Sequence, residues 1–458
     1  MEENNDFFEE PTNMGEEISQ EETKLARGGA PRQKIKKAKI LNILLAVGIG
    51  ASCFCVGFFA RHWSLDKEMR TLVKVKDKIQ DEYYEDVSDE QFYDALYAGI
   101  NHYLLDSYSV YMTEEEYDAM RVQATGKQSG MGIYFLSGTT DLTVYRVAGN
   151  SPAEETGIQK GDTITAVGKT EDSLQACTQR KDFSDFLSTV VDGEIFYLQW
   201  RNEKNELKCA PSKKETYVEN YVFYKTNEKS YGFESEGIHK IKMVGEPLTV
   251  LDDDTAYIKI TQFNGTADSV FDKAMAVFRL QEKKDLIIDL RGNGGGYMDV
   301  MQSIAKYFCK SSKENKPIAA IADYGERKQS FHAEGNTYYE FFAEDSRITV
   351  LADNMTASAS ECLIGCMYAY DVLDYEDICL VEEEDGVAKT YGKGIMQTTY
   401  DISGGGALKL TTAKIFWPTP VPYSIHGEGI TKTHGKKSGS ATLSYEEQTL
   451  AAIQALYA

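Results

Sequence analysis

An uncharged apolar segment near the amino terminus constrains this chain more than any other feature. It runs from Ile40 to Ala60 (ILNILLAVGIGASCFCVGFFA), which is just long enough to cross a bilayer as a helix. The basic stretch KIKKAK (residues 34–39) precedes it, and the flank after it is less basic. Because the more basic flank stays in the cytoplasm, the sequence predicts a transmembrane helix over residues 38–61 with the amino terminus inside. A cleaved signal peptide is the alternative, which the long run and the lack of a small-x-small site disfavour.

The residues before this helix predict a disordered tail. Residues 1–22 contain nine acidic and no basic side chains, a composition that cannot bury a core. We therefore expect residues 1–37 to form a disordered acidic cytoplasmic tail with a basic flank. The whole chain has 49 basic and 72 acidic side chains and a formal net charge of -23. This charge disfavours nucleic-acid binding, because phosphates require a basic face.

Residues 62–122 are predicted to be helical. In the run DEQFYDALYAGINHYLL, apolar residues recur four apart, as they do on one face of a helix. These residues are Phe92, Leu96, Ile100 and Leu104. Residues 123–212 are predicted to form a β-rich module, in which a short helix begins at Pro152 and stops at Gly157.

Residues 213–458 alternate strands and helices. DLIIDL (residues 285–290) indicates a buried strand, and ADSVFDKAMAVFRLQ (residues 267–281) indicates an amphipathic helix. Such alternation is typical of an α/β layered domain. The predicted fold class is therefore multidomain α/β, in which a transmembrane helix, a helical segment and a β-rich module precede an α/β domain.

Three segments of the α/β domain contain the residue types that acyl transfer requires. DLRGNGGG (residues 289–296) is a turn whose backbone N–H groups could hold an anion. TASASE (residues 356–361) places a serine at a strand-to-helix junction, where the helix amino terminus stabilises negative charge. YGKGIMQ (residues 391–397) contains a lysine that becomes a base only if burial lowers its pKa. Taken alone, the three segments are better explained as a turn, an N-cap and a solvated lysine, respectively.

Together the three segments suggest a serine nucleophile, a base and oxyanion donors. A Ser/Lys pair can perform this chemistry without histidine. The six histidines show no Ser-His-Asp pattern; His426 is the one near a candidate segment, and residue order does not exclude it. The eight cysteines include no C-x-x-C spacing, and Cys362 and Cys366 are interpreted as core residues of a helix.

The ordered set of motifs resembles the carboxy-terminal processing peptidases, also called tail-specific proteases. The resemblance covers nearly everything after the apolar segment, and the three segments above are similar to the catalytic motifs of that family. Further similar segments are LLDSYSVYMTEEEY (104–117), GMGIYF (130–135), SPAEETGIQKGDTITAVG (151–168) and ALKLTTAKIFWPTPVPYSIHGEGI (407–430). The first of these is similar to the segment that leads into the PDZ domain of the family, and the next two to the PDZ domain itself.

The resemblance implies a role for each matching catalytic residue. Ser358 would be the nucleophile, Lys393 the general base and Gln397 the side chain that orients the lysine. The oxyanion would be held by backbone N–H groups of Ala359 and of either Gly295 or Gly296. Neutral Lys393 would take the serine proton, and water would hydrolyse the acyl-enzyme, so that no metal or other cofactor is needed. Of the other residues in TASASE, Ser360 would be structural, and Glu361 would complement the helix dipole.

The resemblance also implies a PDZ domain over residues 123–212 and an α/β peptidase domain of the ClpP/crotonase-like type over residues 213–458. PDZ domains bind a peptide by adding a strand to a sheet edge and capturing its terminal carboxylate in a backbone nest. The loop that matches this nest is Gly130, Met131, Gly132 and Ile133. The implied partners are proteins with unstructured or apolar carboxyl termini, whose binding gates the active site, and a second copy of the chain that packs through the helical segments.

The chain is thus expected to be a single-pass protein of a bacterial cell membrane, with its catalytic domain outside the cytoplasm. A role in signalling or protein quality control follows by analogy alone. The chief alternative is a catalytically inactive, membrane-tethered PDZ scaffold that binds peptides, and a ligand carrier on the same fold is a third. The presence of Ser358, Lys393 and Gln397 favours the enzyme over both.

Overall fold

The computed structural model describes residues 66–457 apart from 137–138, 234–240, 244, 312–314, 432–435, 441–442 and 444. The predicted tail and transmembrane helix therefore lie outside the described residues. Within the described part, no helix is both long enough and apolar enough to cross a bilayer. The chain divides into two compact units, residues 1–95 and 96–458.

The described part of the first unit is helical, as predicted. Helix α1 (Lys67–Glu82) begins where the Asp66 side chain accepts the Met69 N–H at 2.7 Å, which satisfies one of the unpaired donors of the first turn. Its side chains connect to the start of helix α2 (Asp89–Gly99), because Lys76 Nζ lies 2.8 Å from the Asp89 carboxylate.

The predicted four-residue stripe is interrupted after Gly99. There the chain enters a π-helical turn, Ile100–Leu104, in which the Leu105 N–H bonds the Ile100 carbonyl at 3.2 Å. A π turn holds more residues than an α turn, so positions four apart no longer share a face. Leu104 is accordingly 76% exposed instead of lying on a packing face.

A short strand follows inside the segment that was predicted to be helical. Strand β1 (Val110–Met112) precedes helix α3 (Glu114–Ala124), whose amino terminus is closed by reciprocal bonds between Thr113 and Glu116. The three strand residues pair antiparallel with residues 407–409, which are about three hundred positions later in the chain.

The β-rich module has its own core. Its strands and helices are β2 (Lys127–Gly130), β3 (Ile133–Phe135), β4 (Val144–Val147), α4 (Pro152–Thr156), β5 (Thr163–Gly168), a 3₁₀ turn (Glu171–Ser173), β6 (Gln175–Ala176), α5 (Arg180–Ser188), β7 (Ile195–Arg201), β8 (Leu207–Lys213) and β9 (Glu215–Val218). The predicted helix stop is confirmed, because Gly157 adopts φ +87°, the left-handed conformation that ends helices. Phe196, Leu198 and Trp200 alternate inward from β7, and they form a cluster separate from that of the α/β domain.

The α/β domain follows with two sheets and five helices among the described residues. Its strands are β10 (Val222–Lys225), β11 (Ser230–Phe233), β12 (Ile241–Met243), β13 (Thr255–Ile260), β14 (Asp285–Asp289), β15 (Ile318–Asp323), β16 (Lys328–His332), β17 (Ile348–Ala352), β18 (Ile378–Glu382), β19 (Ile395–Asp401), β20 (Ala407–Phe416) and β21 (Lys436–Ser440). Its helices are α6 (Ala267–Leu280), α7 (Met298–Ala305), α8 (Tyr338–Phe341), α9 (Ala359–Ala369) and α10 (Tyr445–Tyr457), with a 3₁₀ turn at Tyr375–Asp377.

The central strands of the larger sheet are buried on both faces. Its order over the described residues is β12-β11-β10-β13-β14-β17-β18-β21, and the strands from β13 onward run parallel. Along β14, Leu286 and Ile288 pack into the cluster beneath α6, α7 and α9, whereas Ile287 packs into the cluster that contains Ala452 of α10. Covering both faces explains why the three residues between Asp285 and Asp289 are all apolar.

The second sheet is antiparallel. Within the described chain it runs β1-β20-β15-β16, and β19 pairs with β20 in a hairpin. Strand β19 directly follows the YGKG segment, so this hairpin holds the lysine of the predicted active site.

Candidate active site

The glycine-rich turn and the serine turn lie next to each other because of the sheet topology. The first follows β14, the second follows β17, and these strands are parallel neighbours with Asp289 opposite Leu351. The carboxyl ends of parallel strands meet at one sheet edge, where α/β folds place their ligands.

Asn293 ties the two turns together. Its carbonyl accepts the Ala357 N–H and the Ser360 hydroxyl, both at 3.0 Å. The Thr356 hydroxyl donates to the Leu290 carbonyl at 2.9 Å. Ser360 is fully buried, so its contacts fit the structural role that was predicted for it.

Ser358 occupies an unusual backbone conformation at the start of α9. Its φ is +60° and its ψ is −118°, a region that non-glycine residues rarely adopt and that is often found at functional sites. The side chain is half-buried. Gly295 makes this approach feasible, because a Cβ at that position would lie only 2.7 Å from the Ser358 Cβ.

The predicted oxyanion donors differ in availability. The Gly295 N–H already donates to the Asn293 side-chain oxygen at 2.9 Å. The N–H groups of Gly296 and Ala359 donate to no acceptor among the described residues. Gly296 and Ala359 are therefore better placed than Gly295 to receive an oxyanion.

Glu361 connects the serine and lysine segments. Its Oε2 accepts the N–H of Ser358 at 3.0 Å and the N–H of Lys393 at 2.9 Å. Its Oε1 accepts the Gly392 N–H at 2.8 Å and the Thr390 hydroxyl at 2.6 Å. The residue is 1% exposed. Burial raises the pKa of Glu361 above its ordinary value of 4.5, although the four hydrogen bonds act in the opposite direction.

Lys393 lies in surroundings that favour its neutral form. Burial, followed by the nearby Lys409 cation, lowers the pKa of Lys393 from its ordinary value of 10.5. The Tyr108 ring covers it, with Nζ 4.9 Å from the ring centroid. No hydrogen bond joins Lys393 Nζ to Ser358 Oγ in the described structure, and catalytic hydrogen bonds are often long before substrate binds.

Gln397 does not bond Lys393 in the described structure. Its Nε2 instead donates to the Thr411 hydroxyl at 3.1 Å, across the β19–β20 hairpin. The Thr411 N–H donates in turn to Ser109 Oγ at 2.8 Å. The orienting role of Gln397 therefore stays a prediction.

His426 lies near the lysine through its backbone. A Cβ at Gly394 would lie 2.8 Å from the His426 nitrogen. The residue is exposed, and within the described residues its ring makes no hydrogen bond to Ser358. This arrangement gives no support to a Ser-His pair.

The predicted carboxylate nest lies between β2 and β3. Met131 is buried in the module core, and its carbonyl accepts the Ala153 N–H at 2.8 Å. Gly132 has φ +81° and touches Ser151, because an added Cβ would lie 2.3 Å from the serine Cβ. In the part of the chain that is described, the N–H groups of Met131 and Gly132 have no acceptor. Gly130 ends β2 and Ile133 begins β3, so the four predicted residues form one continuous loop.

An open sheet edge follows this loop. Over the described residues, β3 pairs with β4 alone, which leaves its other edge unpaired. The Phe135 ring meets the Phe183 ring of α5 edge to face at 5.8 Å, and the Arg180 guanidinium lies 5.9 Å from the Phe135 centroid. Strand β3 and helix α5 therefore supply both the edge and the apolar side chains that strand addition requires.

The module and the α/β domain enclose a cavity of about 790 Å³ between them. Lys160 of the module and Arg291 of the glycine-rich turn are among its lining residues. Burial lowers the pKa of Lys160, and the nearby Asp353 carboxylate opposes that shift. Asp353 accepts the Gly292 N–H with both oxygens at 3.0 Å. A charged side chain of the module thus lies close to a carboxylate that holds the catalytic turn.

Sequence reasoning missed two contributors to this site. Glu361 was assigned only to the helix dipole, and its contacts to residues 390–393 required the fold. Tyr108 was not singled out, although the period-two pattern of SYSVYM (residues 107–112) is a weak signal of the strand that positions it.

Residues 254–434 match the model of the family named Peptidase family S41. A "Probable CtpA-like serine protease" of Staphylococcus saprophyticus is 25% identical over 433 residues, which covers 91% of this chain and 77% of the relative. A protein of the same description from Staphylococcus epidermidis is 26% identical, covering 85% of this chain and 71% of the relative.

Two solved structures align with most of the chain. The photosystem II D1 C-terminal processing protease is 21% identical, with a TM-score of 0.44 over 79% of this chain and 86% of that one. A putative S41 protease from Bacteroides fragilis is 16% identical, with a TM-score of 0.45 over 82% of this chain and 91% of that one. The family and sequence matches confirm the predicted resemblance to carboxy-terminal processing peptidases.

Proposed function

We propose that this chain, of which residues 254–434 match the model of peptidase family S41, is a membrane-anchored serine endopeptidase that cleaves proteins near their carboxyl termini with a Ser358–Lys393 pair. The observation that carries the proposal is the Glu361 carboxylate, one oxygen of which accepts the N–H groups of both residues. This shared acceptor holds a strained serine next to a lysine whose pKa is lowered by burial.

In the proposed mechanism, neutral Lys393 takes the Ser358 proton as Oγ attacks the scissile carbonyl. The N–H groups of Ala359 and Gly296 hold the tetrahedral oxyanion. The protonated lysine then gives its proton to the leaving amine, and water hydrolyses the acyl-enzyme. When substrate binds, Gln397 contacts Lys393 and orients its side chain.

The β-rich module acts as a PDZ domain in this proposal. A substrate tail adds to the open edge of β3, and its carboxylate binds the loop from Gly130 to Ile133. Tail binding gates the active site through the Lys160 side chain, whose charge interacts with the Asp353 carboxylate that accepts the Gly292 N–H of the glycine-rich turn.

The anchor is residues 38–61, which place the peptidase domain outside the cytoplasm of a bacterial cell. Protease added to intact cells should then digest the chain after residue 62 while an epitope on the amino-terminal tail survives. Loss of the tail epitope in intact cells would contradict this topology.

Cleavage by the full chain, purified in a mild detergent, tests the function. The substrate is an unfolded reporter protein that ends in apolar residues, and its matched control is the same reporter with a charged tail. We expect products cut near the apolar terminus, and Ser358→Ala and Lys393→Ala should each abolish them. Ser403→Ala and Lys389→Ala are matched controls, because both residues are exposed.

Two outcomes would overturn the assignment. Cleavage that survives both Ser358→Ala and Lys393→Ala would place the chemistry elsewhere. A parent protein that binds the apolar tail but cleaves no reporter would favour the inactive scaffold.

A further inference from the structure

Tyr108 reaches the lysine site from outside the matched peptidase region. It lies just before β1, which pairs with β20 so that Val110 is opposite Lys409. This pairing carries Tyr108 to the hairpin that holds Lys393. The lysine Nζ is 4.9 Å from the centre of the Tyr108 ring, which is within the range of a cation–π interaction.

The ring is held from both ends. The Asp106 carboxylate accepts the N–H groups of Tyr108 and Ser109, each at 2.8 Å, which fixes the backbone. The Tyr108 hydroxyl bonds the Tyr391 hydroxyl at 3.1 Å. A side chain fixed in this way needs little reorganisation energy when positive charge develops on the lysine next to it.

We propose that Tyr108 is a positioning residue of the active site, whose ring face stabilises the ammonium form of Lys393 as the serine proton arrives. This inference rests on the proposed Ser/Lys mechanism. It also means that the active site is completed by a segment that precedes the β-rich module, so residues 254–434 do not contain the whole site.

The ring acts on the lysine in two opposing ways. As a cover it excludes water, which favours the neutral lysine that can accept a proton. The negative face of the ring also attracts a cation, so it favours the ammonium form that Lys393 takes after it accepts the serine proton. The hydrogen bond that the Tyr108 hydroxyl donates to Tyr391 raises the pKa of Tyr108 to about 12, so the phenol stays neutral and acts through its face.

Three other charged groups influence Lys393. Lys409 on β20 disfavours the ammonium, whereas Asp106 and Glu361 favour it. None of them is altered when Tyr108 is substituted, so a change at Lys393 in a Tyr108 variant can be assigned to the ring.

The direct test measures the pKa of Lys393 by competitive acetylation with acetic anhydride across a pH series, followed by peptide mass spectrometry. The full chain carries Ser358→Ala, so that no turnover occurs. Tyr108→Leu keeps an apolar cover but removes the quadrupole, and it should lower the pKa of Lys393 by about half to one unit. Tyr108→Ala admits water and should raise it, and Tyr108→Phe should change it least.

Tyr111→Leu is the matched control. Tyr111 belongs to β1, the strand that follows Tyr108, but its ring stacks on Tyr97 at 4.2 Å and its hydroxyl bonds the Gly405 carbonyl. The Tyr111→Leu substitution should leave the pKa of Lys393 unchanged. A pKa that is equally unchanged in Tyr108→Leu, or that rises in it, would overturn the proposal.

Kinetics give the second readout. With Ser358 present, Tyr108→Leu should lower kcat about fivefold to tenfold with little change in KM. It should also move the acid limb of the pH profile to lower pH, because the base is then neutral at lower pH. A loss of kcat with an unmoved acid limb would indicate a merely structural role and contradict the proposal. If Ser358→Ala or Lys393→Ala cleaves as well as the parent, the Ser/Lys mechanism fails, and the acetylation experiment still decides the role of the ring.

Discussion

Two buried carboxylates flank the glycine-rich turn, and they are stabilised by different means. Asp289, before the turn, bonds the Arg291 guanidinium through both oxygens at 3.0 and 2.6 Å and also accepts the Tyr257 hydroxyl. Glu361, beyond the turn, accepts three backbone N–H groups and one hydroxyl, and it forms no ion pair with any described residue.

Their electrostatics differ accordingly. Burial alone would raise the pKa of Asp289, but Arg291 and Lys259 outweigh it and hold that pKa well below its ordinary range. The pKa of Glu361 is raised by burial in spite of its hydrogen bonds. Asp289 is thus a balanced charge that anchors the turn. Glu361 accepts hydrogen bonds from the segments that carry Ser358 and Lys393, so its loss should lower activity as well as stability.

The largest effect on stability is expected at Asp289. Asp289→Asn leaves the Arg291 guanidinium, which is 2% exposed, without its countercharge. Breaking a buried pair in this way costs about 3–5 kcal/mol, measurable by calorimetric unfolding. Adding Arg291→Met should restore part of the loss, because the guanidinium is then no longer buried without its countercharge, although Lys259 Nζ, 3.7 Å from the Asp289 carboxylate in the parent, still loses its own. A cost no greater than that of Glu361→Gln would contradict the distinction between the two carboxylates.

The two ends of the turn can be compared by matched glycine substitutions. Gly295→Ala places a Cβ 2.7 Å from Ser358 Cβ, whereas Gly292→Ala places one in open space. Both positions have positive φ, so both variants lose some stability from backbone strain. Only Gly295→Ala should displace the serine and lower kcat/KM by about 100-fold or more, about 2.7 kcal/mol. Equal losses of kcat/KM in the two variants would show that strain alone is responsible.

Glu361→Gln should reduce activity by about tenfold, about 1.4 kcal/mol, mainly in kcat. The amide replaces one acceptor oxygen with a donor, so it opposes either the N–H groups of Ser358 and Lys393 or the donors at positions 390 and 392. The free energy of unfolding should fall by about 1–3 kcal/mol, the cost of unsatisfied buried donors. An unchanged kcat in a folded Glu361→Gln protein would show that the contact of Glu361 with Ser358 and Lys393 has no role in the mechanism.

The two carboxylates should also respond oppositely to pH. Because the folded pKa of Asp289 is depressed, its stabilisation is present above the ordinary value of 3.8 and is lost as pH falls toward the folded pKa. Because the folded pKa of Glu361 is raised, stability falls as pH rises from 4.5 through the folded pKa. The penalty of Asp289→Asn should therefore shrink below pH 3.8, and that of Glu361→Gln should shrink above pH 4.5. Denaturant unfolding of the parent and both variants at several pH values measures these two penalties. Penalties that rise or fall together with pH would contradict the assignment.

The smallest effects are expected at two threonines, one of which bonds Glu361 and the other the Arg291 partner of Asp289. Thr390 donates to Glu361 at 2.6 Å, and Thr449 accepts from Arg291 at 2.5 Å. Replacing either by Val should cost about 1 kcal/mol of stability. Activity measured on the apolar-tailed reporter should fall about threefold in Thr390→Val alone. A similar fall of activity in Thr449→Val would contradict the distinction between Asp289 as a structural carboxylate and Glu361 as a carboxylate of the active site.

The sequence identified the parts of the fold whose physical signal is local. The DLIIDL segment predicted a buried strand, and β14 (Asp285–Asp289) is that strand. The glycine and serine turns were predicted to act together, and the parallel pairing of β14 with β17 brings them to one edge. The helix from Pro152 to the Gly157 stop is also as predicted.

Long-range contacts account for what the sequence did not reveal. Strand β1 has three residues, too few for a periodic pattern, and its partner lies about three hundred positions later. From the local sequence, Glu361 is predicted only to be an acidic residue in the first turn of a helix. Three of the four groups that donate hydrogen bonds to it belong to residues 390–393, which only the fold brings close. The shift of Leu104 to the surface depends on a π turn, which has no distinct local signature.

The juxtaposition of Ser358 and Lys393 can be tested without knowing any substrate. Ser358→Cys converts the nucleophile into a thiol whose alkylation by iodoacetamide depends on its thiolate fraction. At neutral pH, mass spectrometry of the peptide that contains residue 358 should show alkylation about tenfold faster than in the same protein with Lys393→Met added. Equal alkylation rates in the two proteins would mean that the lysine does not act on residue 358, and the proposed catalytic pair would be wrong.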